Sequence, residues 1–253
     1  MAHYHFHSLS SAREYGGPVT AYYPLHYWFD CTKQHLADAR HRLILHNLGG
    51  LALALKILGD YTTYQDQDGN EVKVDNYFLG LQHINEDFGR ILGAEEILAF
   101  AGAHMHGNFM KFNKDRALDT LIKKNRGERS DYSKVVDFFT HFMYWSHDPL
   151  SQLAGLAFLN NTFGIFQLEK YLGPIIKRDS DGREIPTRLI GENYVNGGYG
   201  RIPTLNQVLE TLPQRSWMFI NAAALSFEFE HDYNNNKVIP KQQGVVPSPL
   251  PLD

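Results

Sequence analysis

Apolar residues recur at helical spacing along two stretches of this chain. Leu36, Ala39, Leu43, Gly50 and Ala54 mark one face between Thr32 and Leu58. Leu153, Leu156, Ala157, Gly164, Leu168 and Tyr171 mark another between Leu150 and Tyr171, the repeat expected of a helix with one side in a core. Each stretch runs into a glycine stop, Gly59 or Gly173. A short hairpin follows in both places, with "DQDGNE" and "DSDGRE" as turns, because Asp-Gly supplies the positive φ a tight turn needs. Further on, a Gly-Arg-Ile elbow feeds another helix, and in the second case Pro203 and Thr204 precede the apolar run as a helix start should read. The pattern predicts an α+β fold, mainly α-helical, with two short β-hairpins.

The two stretches are copies of one unit. Leu58-Gly59 answers Leu172-Gly173, Asp68-Gly69 answers Asp181-Gly182, Gly80 answers Gly191, Asn85 answers Asn196, and Gly89-Arg90-Ile91 answers Gly200-Arg201-Ile202. Two copies are too few for a solenoid, so the chain is a tandem pair of helix-hairpin-helix units. The expected organisation is a first repeat unit over residues 1–100 and a helical connector over 101–149, basic then aromatic. A second, degenerate repeat unit over 150–217 and a C-terminal segment with an extended tail over 218–253 complete it.

Composition narrows the setting. The net charge of -4 argues against a generally nucleic-acid-seeking surface. The exception is local: seven basic and three acidic residues lie between Lys111 and Arg129, where a solvated helix is the default and phosphate binding the alternative. The single cysteine, Cys31, excludes an intrachain disulfide and reads as a buried small hydrophobe. No signal-peptide core and no run of about 18 apolar residues occurs, so the expected location is intracellular, with no membrane role.

Candidate chemistry concentrates in the first copy. On one long helix, His35, Asp38, Arg42 and His46 would share a face with His41 at its edge. His26 and Asp30 are four apart, while His83, Glu86 and Asp87 fall in the loop before the elbow. Imidazoles and carboxylates in this number can ligate a divalent metal ion or form an acid-base pair, so His26, Asp30, Asp38, His41, His46, His83 and Asp87 are the candidate ligands. The competing reading is a buried network of hydrogen bonds and ion pairs, Asp38 with Arg42 among them, and no cofactor is required by it. In the second copy Tyr194, Gly197 and Gly198 stand in place of His83, Glu86 and Asp87. The alternating His3, His5 and His7 read as a frayed terminus, His147-Asp148 as a helix cap before Pro149, and "GGYG" at 197–200 as a turn.

Four blocks, "HSLSSAREYGG", "PLHYWFD", "LADARHRLILH" and "QHINEDFGRI", resemble in order the motifs of an uncharacterised domain-of-unknown-function family of bacteria and their phages. The resemblance covers residues 1–100 well and recurs more faintly over 150–217. It implies a small α+β domain in a phage or mobile-element setting, hence a bacterial cytoplasm or a virion as the location, and brings no activity with it. Where the family has a second histidine and a glutamate after His46, this chain has Asn47 and Gly49.

Two functions follow as expectations. The first is a non-catalytic assembly or interaction protein. Its tail, rich in Asn, Gln and Pro, cannot form a core and would dock on a protein partner or a second copy through Val238, Ile239, Val245, Val246, Leu250 and Leu252. The alternative is a metal-dependent hydrolase of a phosphorylated or nucleotide-like substrate, using the first copy alone.

Overall fold

A computed structural model describes residues 3–36, 38–105, 108–178, 181–213, 229–232 and 237–240. The two principal compact units are built on Met1–Gly93 and Ala94–Leu212. The tail anchors Val245, Val246, Leu250 and Leu252 lie outside the described residues. Val238 and Ile239 lie on a strand, Lys237–Pro240, that pairs antiparallel with Phe229–Asp232.

The first unit begins with α1 (Tyr4–Tyr15), which His3 caps by accepting from the His5 backbone N–H and Gly16 ends at φ 79°. His5 and His7 are therefore helical, while His3 is the extended cap residue before them. After a 3-10 turn ending at Tyr22 comes α2 (Tyr23–Asp30), with Pro24 in its first turn, where the missing N–H costs nothing. The long helix expected over Thr32–Leu58 does not form. The chain makes two 3-10 turns, then α3 (Arg42–Leu45), and starts again as α4 (Leu48–Leu58).

Asn47 is the physical reason for the last break. Its Nδ2 donates to the Leu43 and Ile44 carbonyls at 2.9 and 3.1 Å, closing α3, while its Oδ1 accepts from Gly50 N at 3.0 Å, opening α4. One amide satisfies orphan groups of two helices at once. The apolar pattern persists across the elbow because both arms bury the same side, which is why periodicity alone reads through it.

The hairpin β1 (Tyr61–Gln65) and β2 (Glu71–Asp75) follows, in register Thr63↔Lys73, with Gly69 at φ 81° in its turn. Tyr64 donates from its hydroxyl to the Tyr15 carbonyl at 2.7 Å and lies over Gly17, where any Cβ would meet its ring at 2.7 Å. The hairpin leads into α5 (Asn76–Phe88), capped by Asp75 and ended by Gly89 in the left-handed region. His83, Glu86 and Asp87 thus sit on a helix, not in a loop. Around them Tyr22, Leu25, Phe29, Leu43, Leu45, Leu79 and Ile84 are all buried.

The second unit repeats this order after α6 (Ala94–His104). The segment 101–149 contributes α7 (Lys114–Asn125), a 3-10 turn ending at Tyr132, and α8 (Ser133–Phe139), matching α1, the turn at Tyr22 and α2. There follow α9 (Pro149–Leu159), α10 (Thr162–Leu172), the hairpin β3 (Ile175–Arg178) and β4 (Glu184–Pro186), α11 (Thr187–Tyr199) and α12 (Leu205–Leu209). Asp148 caps α9 by accepting from Ser151 N at 2.8 Å, as its position before Pro149 predicts. Thr204 caps α12 reciprocally with Gln207. Gly197 and Gly198 lie within α11, and only Gly200, at φ 76°, is a turn glycine.

Equivalent residues can be paired through shared geometry. Gly16 and Arg126 both end their helices at positive φ, which pairs His7 with Ala117 and Ser11 with Leu121. The buried Tyr22 and Tyr132 pair His26 with Val136 and Asp30 with Thr140. His46 and Asn160 share the elbow conformation, φ/ψ -81/50 and -79/60. Gly89 and Gly200 pair His83 with Tyr194 and Asp87 with Gly198.

Candidate metal centre

Three elements of the first unit aim polar side chains at one point in its core. From α2, Asp30 arrives one turn after His26, both buried. From the elbow, His46 points inward because the Asn47 cap holds the chain at the end of α3. From α5, His83 and Asp87 lie one turn apart on the buried face. One donor atom from each of Asp30, His46, His83 and Asp87 can be chosen so that all lie within 4.8 Å of one another.

The separations are those of ligands around a single ion. His46 Nε2 is 3.2 Å from His83 Nε2, 3.1 Å from Asp87 Oδ2 and 3.6 Å from Asp30 Oδ1. His83 Nε2 is 3.8 Å from Asp87 Oδ2. Bonds of about 2.1 Å give tetrahedral edges of about 3.4 Å, and octahedral edges of about 3.0 Å with diagonals of about 4.2 Å. Two imidazoles with two carboxylates suit a first-row divalent ion such as zinc, iron or manganese.

Charge in the cluster is held by neighbours. Arg42 Nη2 contacts Asp87 Oδ1 at 2.7 Å, leaving Oδ2 toward the other donors, and Lys33 Nζ contacts Asp30 Oδ1 at 2.5 Å. Burial alone would raise both carboxyls. Hydrogen bonds and charge from His46 and His7 instead hold Asp87 well below the usual carboxylate range, and His46 with Lys33 lowers Asp30. Burial, reinforced by neighbouring imidazoles, pushes His83 well below the ordinary histidine value and His26 down to about 3. The lowered carboxyls of Asp30 and Asp87 and the lowered His83 ring favour the deprotonated forms a divalent ion requires of its ligands.

The remaining candidates fall into two places. His26 stands behind His83, its Nδ1 3.0 Å from His83 Nδ1. His41 is buried beside His46, ring centroids 5.7 Å apart, with its Nδ1 on the Asp38 carbonyl at 2.5 Å. Asp38 itself does not join the cluster. Its carboxylate turns back to Arg40, within 2.6 Å of Nη2, and accepts from Arg40 N at 2.9 Å. The shared-face argument that nominated it fails because the chain is not one helix there, and Arg42 pairs with Asp87 instead.

His7, read from the sequence as part of a frayed terminus, instead enters the core. It is buried, with Nδ1 2.5 Å from Glu86 Oε2 and Nε2 3.6 Å from Asp87 Oδ1, and burial, which lowers its pKa, is outweighed by these two carboxylates, which raise it to about 9. Ser11, one turn on, and Gln82 are buried with it. The inner face of α1 is polar, so it leaves no apolar stripe to find. The available signal was the i, i+4 spacing of His7 and Ser11.

The second unit keeps the frame and loses the donors. Thr140, Asn160, Tyr194 and Gly198 occupy the four equivalent positions, with no imidazole or carboxylate among them. His83 stacks on Phe29 at 4.7 Å, and its counterpart Tyr194 stacks on Phe139 at 5.1 Å. Phe112 takes the space of the missing carboxylate, since a Cβ on Gly198 would meet its ring at 2.0 Å. Arg116 donates to the Gly197 and Gly198 carbonyls at 2.7 and 2.8 Å, which binds α7 to α11 where α1 and α5 instead face each other across His7 and Glu86.

This duplication is mirrored by a family match. One family model fits the chain twice, over residues 2–104 and 117–218. The chain belongs to the family described as a domain of unknown function, DUF6915. No curated protein and no solved structure matches the chain. The second DUF6915 match begins inside α7, in the segment expected as a connector. Among the described residues no helix is long and apolar enough to cross a membrane.

Proposed function

We propose that the chain is a metal-binding protein whose first DUF6915 copy holds one divalent first-row transition ion through Asp30, His46, His83 and Asp87, while the second copy is scaffold. The observation that carries this is the convergence of four donor atoms from three elements within 4.8 Å, in a core where the equivalent positions of the other copy hold no imidazole or carboxylate. Without an ion, Asp87 Oδ2 has His46 Nε2 at 3.1 Å and His83 Nε2 at 3.8 Å beside it but no aligned hydrogen bond, and a buried polar atom left so costs about 1–3 kcal/mol. Metal analysis of untagged protein, expressed with zinc, manganese and iron in turn, tests the reading. About one ion per chain is expected, and the double variant His46→Asn, His83→Tyr should contain none. Wild-type protein without bound metal under all three conditions would overturn it.

A hydrolase acting on a phosphorylated substrate is a second reading, favoured by Glu86. Its side chain is 29% exposed yet contacts His7 at 2.5 Å, so a carboxylate–imidazole pair stands between solvent and the donors. Hydrolysis of a model phosphodiester by the ion-loaded protein, abolished in Glu86→Gln, would support it; no turnover with any of the three ions would exclude it. The assembly reading rests on tail composition alone, and truncation with light scattering tests it.

A further inference from the structure

We infer that a hydrogen-bond chain running from Glu86 through Gln82, Ser11 and His26 fixes the tautomer of His83, so that its Nε2 lone pair faces the other three donors. The inference rests on the metal reading for its purpose but not for its geometry.

The chain can be followed from the surface inward. A carboxylate only accepts, so the Gln82 atom 2.8 Å from Glu86 Oε1 must be the amide nitrogen. The same nitrogen lies 3.0 Å from Ser10 Oγ. Gln82 Oε1 is thereby turned to Ser11 Oγ, 2.7 Å away. Two acceptors cannot sit that close without a proton between them, so Ser11 donates there rather than to the His7 carbonyl at 3.2 Å. With its one proton committed, Ser11 Oγ can only accept from His26 Nε2 at 2.8 Å.

His26 is fully buried and no carboxylate contacts either of its nitrogens, so it stays neutral and carries one N–H, on Nε2. Its Nδ1 is then a bare acceptor. His83 Nδ1, 3.0 Å away, must donate to it. The remaining nitrogen of His83, Nε2, is left as a lone pair 3.2 Å from His46 Nε2 and 3.8 Å from Asp87 Oδ2. That is the tautomer a metal ligand needs, and the other ring nitrogen of a ligating histidine is commonly held by such a partner.

The second copy loses the chain together with the donors. Leu121, Val136, Asn193 and Gly197 stand where Ser11, His26, Gln82 and Glu86 would be. Asn193 donates to Asn125 Oδ1 at 3.2 Å instead.

Nitrogen-15 spectra of histidine side chains in the metal-free protein provide the test. The expected wild-type result is His83 protonated at Nδ1 and bare at Nε2, and a resonance pattern with the proton on Nε2 would overturn the inference. Ser11→Ala should release His83 toward the Nε2–H form and weaken metal binding about 10- to 100-fold, while Ser11→Thr, which keeps the hydroxyl, should restore both. Should Ser11→Ala fail to fold, the wild-type spectrum alone decides. Wild-type protein with the expected tautomer but no affinity for metal would defeat the metal reading and leave the tautomer assignment standing; the reverse outcome would do the opposite.

Discussion

Gly50→Ala tests whether the elbow at Asn47 both holds the fold and aims His46. A Cβ at Gly50 would lie 2.0 Å from the Leu45 carbonyl oxygen and 2.5 Å from its carbon, where ordinary contact begins near 3.4 Å. The obstacle is backbone, so α3 and α4 must part by more than 1 Å. Overpacking of this kind costs about 3 kcal/mol at the upper end of its usual range. Loss of the Asn47 Oδ1 cap on Gly50 N adds about 1 kcal/mol, and the better helix propensity of alanine returns about 1 kcal/mol. The net expectation is a destabilisation of about 3 kcal/mol in urea denaturation, with weaker ion binding because His46 moves with the elbow. Gly164→Ala is the matched control: its Cβ would meet the Leu159 carbonyl oxygen, so it should destabilise comparably while leaving metal content unchanged. An unchanged or raised midpoint for Gly50→Ala, or equal metal loss in both variants, would refute the reasoning.

Asp87→Asn should abolish ion binding and destabilise by about 3–5 kcal/mol, since it strips Arg42 of its buried partner at 2.7 Å, as denaturation and metal analysis would report. Metal occupancy should fall as pH drops, because protons compete for the ligating imidazoles. Burial depresses His83, so loss should set in below the ordinary histidine value of about 6.5, and loss already complete above that value would contradict the assignment. Deleting residues 234–253 should leave one ion per chain, as all four donors lie between Asp30 and Asp87. A smaller particle in light scattering is what the assembly role of the tail requires.

Much of this architecture can be read directly from the chain. Asp-Gly turns, glycine helix stops and proline starts are local devices whose geometry depends on few neighbours, so both hairpins and the duplication are visible without a structure. Local spacing also makes His26 with Asp30 legible as a pair one turn apart, whereas His83 and Asp87 read as loop residues and only the structure sets them one turn apart on α5. Asn47 was less transparent, because an asparagine that caps two helices through one amide leaves the apolar rhythm intact on both sides. Only packing decides that His46 meets His83, that Asp38 turns to Arg40, and that His7 enters the core on a helix with no apolar stripe. The long-range contacts among them join residues 37 and 79 positions apart, His46 Nε2 with His83 Nε2 and His7 Nδ1 with Glu86 Oε2. No periodicity encodes such meetings. They arise because the apolar faces of α2, α3 and α5 must close around a common interior, and whatever polar groups those faces carry are brought together when they do.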